Sequence, residues 1–358
     1  MEDREPDNPA EELDLAKINP ETSKLIKKFG SGYFPKKSYG SRATISLKDP
    51  KNYLIGGSSY GRNGLSDSFK LFKNDKQFFH HTFERDVSLN DMVFVRSLNC
   101  YFLMVEGQLY RKDINKRPPY IYFNCGDFSS ESRYLRYSDL KHRMVALDNE
   151  RVIVFNLFTK KIELNYEHGI TNKIVDFTIY GEHEDRMMIL TGTGKIYLLR
   201  YAGLEALETL VIGAAEKRKF IGYRLSVSDD NRYVCLSVKS KGYKYKKDSM
   251  FMVFQIGSTG LKWRASCLFK RRNPNVFSDL CFLKKIGSSF IFVGFSRDVH
   301  KDIYIAVFNS EGNTLQELEE KRCRSGQAHP VRVQRIGSEI YMVGRSLKMN
   351  YYSIFGFD

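Results

Sequence analysis

The feature that most constrains this chain is a group of four short apolar runs that recurs along most of its length. One group reads DMVFVRSL, CYFLMVEG, QLYRKDI, YIYFNC. The next reads YLRYSDL, RMVALDN, RVIVFNL, KIELNYE, and a third reads KIVDFTIY, RMMILTG, KIYLLRY, ALETLVI. Each run is rich in β-branched and aromatic residues, which suit a pleated surface, and each is bounded by Gly, Asp or Asn turn signals. Helical patterns of roughly 10–15 residues, which parallel sheets need between strands, are missing. The aromatic or leucine in the third run marks the period. It falls at Tyr110, Phe155, Leu199, Phe254, Phe308 and Phe355, at intervals of 45, 44, 55, 54 and 47 residues. The two long intervals hold insertions, SKGYKYKKDS (240–249) and SRDVHKD (296–302). An earlier group, YLIGGSS, SFKLFKN and QFFHHTF, brings the number to seven.

A repeated four-stranded antiparallel meander is the building unit of a β-propeller. The expected fold is therefore all-β: a seven-bladed propeller of four-stranded antiparallel blades, closed by an N-terminal strand. The last group, VRVQRIG, EIYMVGR and YYSIFGFD, supplies three strands, and RATISLK (42–48) is spare. That segment is expected to be the outer strand of the blade built from residues 331–358, removing an open edge. Residues 1–32 read as an acidic N-terminal arm and residues 33–358 as the propeller.

Two segments, LDNERVIVFNLFTKKIEL (147–164) and TGTGKIYLLRYAG (191–203), resemble the stretch joining the second, third and fourth strands of a WD40 blade. The resemblance extends over about residues 40–358 in pattern rather than in letters. Val154-Phe155-Asn156 stands where the family's Trp-Asp pair would fall, and Glu167-His168-Gly169 only echoes its Gly-His pair. The resemblance implies a propeller that serves as a binding platform. It does not carry over the buried His–Asp network of a regular blade. A stretch around Arg271-Arg272 also resembles, over about a dozen residues, the Phe-Arg-Arg-Gly motif of phosphoinositide-binding propellers.

Charge narrows the partners. The formal net charge is +15, yet residues 1–18 hold seven acids and two bases, leaving about +20 on the rest. A basic body with an acidic arm suits an anionic partner: RNA, a membrane surface or an acidic protein. No apolar run approaches the ~20 residues that span a bilayer. The start, MEDREPDNPAEELDL, has neither the basic, apolar plan of a secretory signal nor the acid-poor plan of a presequence. The six cysteines lie too far apart for a CxxC knuckle and read as reduced core residues. An intracellular, cytoplasmic or nuclear, protein is expected.

No nucleophile elbow, HExxH, P-loop or dinucleotide fingerprint is present, so no catalytic residue and no cofactor is expected. His80 and His81 are adjacent. Neighbours on a strand point to opposite faces, so they read as one exposed and one inward residue rather than as a metal pair. Two binding candidates remain. In the insertion, Lys241, Lys244, Lys246 and Lys247 interleave with Tyr243 and Tyr245, pairing phosphate-neutralising charges with stacking faces. Between the fifth and sixth groups, Lys270, Arg271 and Arg272 could hold phosphates or a lipid headgroup by bidentate hydrogen bonds. The function expected is a non-catalytic scaffold docking protein partners in a multisubunit complex. An RNA-associated propeller of a ribonucleoprotein and a phosphoinositide-binding peripheral membrane propeller are the alternatives.

Overall fold

A computed structural model describes the strands between residues 26 and 357 and the short turns that join them. It leaves out residues 1–25, 34–41, 46–51, 125–133, 201–204, 212–219, 241–248, 270–276, 298–302, 310–313, 321–328, 346–349 and 358, and one or two residues within several tight turns. The strands begin with β1 (Ile26–Tyr33). Sheet 1 follows, made of β2 (Arg42–Ile45), β3 (Tyr53–Gly61), β4 (Gly64–Lys73) and β5 (Lys76–Thr82). Sheet 2 holds β6 (Leu89–Val95), β7 (Cys100–Val105), β8 (Gln108–Asp113) and β9 (Tyr120–Asn124). Sheet 3 holds β10 (Tyr134–Ser138), β11 (Arg143–Leu147), β12 (Arg151–Asn156) and β13 (Lys161–Glu167). Sheet 4 holds β14 (Ile174–Tyr180), β15 (Arg186–Thr191), β16 (Lys195–Arg200) and β17 (Glu205–Val211). Sheet 5 holds β18 (Phe220–Val227), β19 (Tyr233–Ser240), β20 (Ser249–Ile256) and β21 (Leu261–Phe269). Sheet 6 holds β22 (Phe277–Ile286), β23 (Ser289–Arg297), β24 (Ile303–Asn309) and β25 (Thr314–Glu320). Sheet 7 joins β26 (His329–Ile336), β27 (Glu339–Arg345) and β28 (Asn350–Phe357) to β1. The first strands of successive sheets neighbour one another, and β26 comes back to β2. This is a β-propeller, with seven four-stranded antiparallel sheets among the described residues.

The second strands explain why the sequence runs are so apolar. All six residues of β7 are buried. Cys100, Phe102 and Met104 pack with sheet 3, while Tyr101, Leu103 and Val105 pack with sheet 1. In β11 the same alternation sends Met144 and Ala146 one way and Val145 and Leu147 the other. A strand covered on both faces needs apolar side chains at every position, not at every second one. The core is thus a set of seams between sheets. At one seam Gly56 of β3 makes room for Leu89 of β6. A Cβ on Gly56 would lie 2.2 Å from the leucine's Cδ2.

Polar contacts add direction to these seams. Arg136 of β10 donates to Asp91 of β6 at 3.3 Å and to Asp176 of β14 at 2.8 Å, linking three sheets. Asp91 Oδ2 also accepts from the Leu135 N–H, and Asp176 Oδ2 accepts from the Leu225 N–H of β18. The Arg136 guanidinium lies 5.1 Å from the centre of the Phe177 ring. Further round, the Phe282 N–H of β22 donates to Ser226 Oγ of β18 at 3.3 Å.

The expected closure is corrected in one respect. Residues 42–45, within RATISLK, pair with β3 and open sheet 1. The strand that completes the last sheet is β1, paired with β28 from Ile26↔Phe357 to Tyr33↔Tyr351. The boundary drawn after residue 32 moves accordingly, because residues 26–33 belong to the sheet. Gly30, Ser31 and Gly32 pair with Ile354, Ser353 and Tyr352, so backbone hydrogen bonding, not side-chain pattern, places this segment. Residues 1–25 of the expected arm lie outside the described residues.

Two outcomes test this reading. Deleting residues 1–33 should leave β28 as an open edge, and size-exclusion chromatography should then show aggregation. Replacing Asp176 with Ala leaves Arg136 with Asp91 as its carboxylate partner and strands the Phe177 and Leu225 N–H groups. Chemical denaturation should show a loss of about 3 kcal/mol, with Asp176→Asn losing less.

Candidate docking surfaces

Both residue sets singled out in the sequence fall outside the described residues. Lys241, Tyr243, Lys244, Tyr245, Lys246 and Lys247 lie between β19 and β20, and Lys270, Arg271 and Arg272 lie between β21 and β22. His80 is exposed and His81 is half-buried, as their neighbouring positions on one strand require. His81 packs edge-on against Phe83 at 4.9 Å and tilts against Phe69 at 5.5 Å. Burial holds the His80 and His81 imidazoles below their ordinary pKa. No cluster of three or more metal-binding side chains occurs among the described residues. Cys100 and Cys235 are buried free cysteines, and burial pushes the Cys100 thiol up to about 12. His168 serves its own turn: its Nδ1 accepts from the Ile170 N–H, so Nε2 carries the proton and faces the Asp148 carbonyl at 3.3 Å. The Asp148 carboxylate accepts from the Glu150 and Arg151 N–H groups.

Sequence reasoning missed the surface at one end of sheet 3. Two turns meet there, 140–142 between β10 and β11 and 157–160 between β12 and β13. They display Leu140, 63% exposed, and Phe158, 59% exposed. The backbone beneath is fixed. Asn156 Oδ1 accepts from the Phe158 and Thr159 N–H groups, and the Leu157 N–H donates to the His142 carbonyl. The His142 ring stands edge-on to Phe158 at 4.6 Å, and its Nδ1 meets the Tyr137 hydroxyl, which in turn meets Ser97 of sheet 2. From sheet 4, Glu184 accepts from the Leu140 N–H and the Ser138 hydroxyl. Lys141, Lys160 and Lys161, next to these turns in sequence, and Arg96, next to Ser97, are exposed, and Lys160 Nζ lies 5.0 Å from the centre of the Tyr122 ring. Glu163 is occupied by Arg143 and Asn156. Held apolar side chains with these cations suit an acidic segment with apolar anchors. The hydrophobic pattern of the strands hides these residues, because both sit in turns.

A second feature lies in the seam between sheets 1 and 2. Lys112 is fully buried. Its Nζ donates to the Asp113 carbonyl at 2.7 Å and lies 4.9 Å from the centre of the Phe79 ring. Burial lowers its pKa to about 8, against a smaller opposing pull from Asp113. The same seam holds a cavity of about 570 Å3, whose lining includes His81, Glu84, Glu106, Gln108 and Tyr110 but not Lys112.

No family model matches the sequence, and no curated protein matches it. Solved structures do. The β-propeller domain of Myceliophteria thermophila Cps50 (Swd1) superposes with a TM-score of 0.62 at 10% identity, covering 92% of this chain and 99% of that one. Chaetomium thermophilum Raptor superposes with a TM-score of 0.61 at 8% identity; 90% of this chain is covered but only 30% of that one. These likenesses show the β-propeller fold. Among the described residues, no helix is long and apolar enough to cross a membrane.

The Lys112 environment sets a pH dependence. The folded chain gives up this proton more readily than the unfolded one, so between pH 8 and 10.5 the unfolded state binds more protons. Unfolding free energy should gain a contribution that rises with pH across that window, by up to about 3 kcal/mol. Denaturation of the wild type and Lys112→Met at several pH values should show the slope lost in the variant.

Proposed function

We propose that this protein is a non-catalytic interaction scaffold, a propeller subunit of a larger intracellular assembly, and that the Leu140–Phe158 end docks an acidic segment of a protein partner. The observation that carries this reading is the pair of exposed apolar side chains on a pinned backbone, together with the exposed Arg96, Lys141, Lys160 and Lys161. Pre-ordered apolar anchors lose little conformational entropy on binding, and these cations speed encounter with an acidic surface. Solitary exposed apolar residues elsewhere, such as Trp263 of β21, are ordinary surface features.

The alternative partner class, RNA, draws its support from the alternating lysines and tyrosines of residues 241–247 and from the net charge of +15. A phosphoinositide surface draws on Lys270, Arg271 and Arg272 alone.

Affinity purification from the native source separates these readings. The proposal expects a stable protein partner that survives nuclease treatment. The double variant Leu140→Asp/Phe158→Asp should weaken its capture by at least about tenfold, with thermal melting little changed because both side chains are exposed. Capture that is lost on nuclease treatment and insensitive to the double variant would move the function to RNA. In that case Tyr243→Ala or Tyr245→Ala should cost about 1–3 kcal/mol of single-strand affinity.

A further inference from the structure

Among the described residues, the lining of the cavity between sheets 1 and 2 carries two carboxylates and no lysine or arginine, in a chain whose net charge is +15. Its floor is aromatic: Phe83 is buried and meets Tyr110 edge-on at 5.9 Å. The Tyr110 hydroxyl is oriented by donating to Gln108 Oε1 at 3.0 Å. Two carboxylates reach the cavity from different segments. Glu84 follows β5, in a turn closed by the Val87 N–H donating to the Glu84 carbonyl. Glu106 sits in the two-residue turn between β7 and β8, where Glu106 and Gly107 both adopt positive φ, 46° and 77°. That geometry is the type I′ hairpin, in which the backbone twist matches the flanking strands. The Glu106 N–H donates to Asn90 Oδ1 at 3.3 Å. The Glu106 carboxylate therefore rides on a tight, hydrogen-bonded turn.

Their fields converge. Burial raises the Tyr110 pKa first, and Glu106 and then Glu84 raise it further. His81, the imidazole at the cavity, is held below its ordinary pKa by burial and brings little positive charge at neutral pH. Aromatic faces beside two carboxylates are the surroundings in which an organic cation gains both cation–π attraction and charge-assisted hydrogen bonds. A metal ion is the poorer occupant, since no group of three or more metal-binding side chains forms among the described residues.

We propose that this cavity binds an arginine side chain presented by a partner polypeptide. Arginine fits better than lysine, because a planar guanidinium can fork a carboxylate and stack on a ring at once. This site is independent of the Leu140–Phe158 surface, which takes the opposite charge. The net charge of +15 sharpens the test: a cationic peptide is repelled by the chain as a whole and can bind only where the local field is negative.

The experiment titrates the full chain, by calorimetry or by NMR, with a capped Gly-Ser peptide carrying one arginine. The matched peptide with citrulline, the neutral isostere, is the comparison. Saturable binding of the arginine peptide and none of the citrulline peptide is expected. Glu84→Gln/Glu106→Gln should weaken binding by at least about tenfold. Each single variant should weaken it by less, so the conclusion does not hang on the double variant alone. Glu167→Gln, on β13 of another sheet, should leave it unchanged. Absence of saturable binding, equal affinity for citrulline, or an affinity indifferent to Glu84 and Glu106 would overturn the proposal.

Discussion

The grip of Asp91 and Asp176 on Arg136 gives this structure a directional tie across three sheets. Within each sheet, backbone hydrogen bonds fix the strands. Across the seams that ladder is absent, and apolar burial is non-directional: it favours contact without fixing its angle. Asp176 alone joins β10, β14 and β18, through the Arg136 guanidinium, the Phe177 N–H and the Leu225 N–H. Because the carboxylate is nearly buried, a misplaced neighbour would leave charge unmatched, so the contact defines how adjacent sheets meet. In β6 and β14 the pairing slips by one residue just before the aspartate, which turns its side chain toward the neighbouring sheet.

Around these ties, function is left to whatever the seams do not consume. The seams take the apolar side chains of the strands on both faces. What remains outward is the outer strands and the turns, where loops are free to carry binding groups. The Leu140–Phe158 end and the cavity at Glu84 and Glu106 are two such places. They differ in charge because they are built from different segments.

Much of the fold was legible. Each residue chosen to mark the period, from Tyr110 to Phe355, stands beside the slip in pairing between the last two strands of its sheet. Phe72 occupies that place in sheet 1. The extra residue of the slip lies on the outer strand, so the marker residue sits opposite the place where that strand bends. The closing strand was misread for a physical reason. RATISLK has the β-branched texture of a strand, whereas IKKFGSGY, with two glycines around a serine, has the texture of a linker. Yet an outer strand is held chiefly by its backbone pairing to β28, which any residue but proline can provide. Sheet 1 had only three apolar runs assigned to it, so the short strand beside it was needed there.

The sequence by itself determined the repeat, the strand class and the basic body, because period, side-chain branching and charge are properties of the linear chain. Only the tertiary structure decided which side chains meet. Lys112 is buried because β5 lays Phe79 against it, and its altered proton affinity follows from that enclosure. Phe158 meets His142 because two turns of one sheet end at the same place. Glu84 and Glu106 share a cavity because the crossing from sheet 1 to sheet 2 runs beside the β7–β8 turn. Desolvation and the convergence of charges depend on distances through space, and separation along the chain does not encode them.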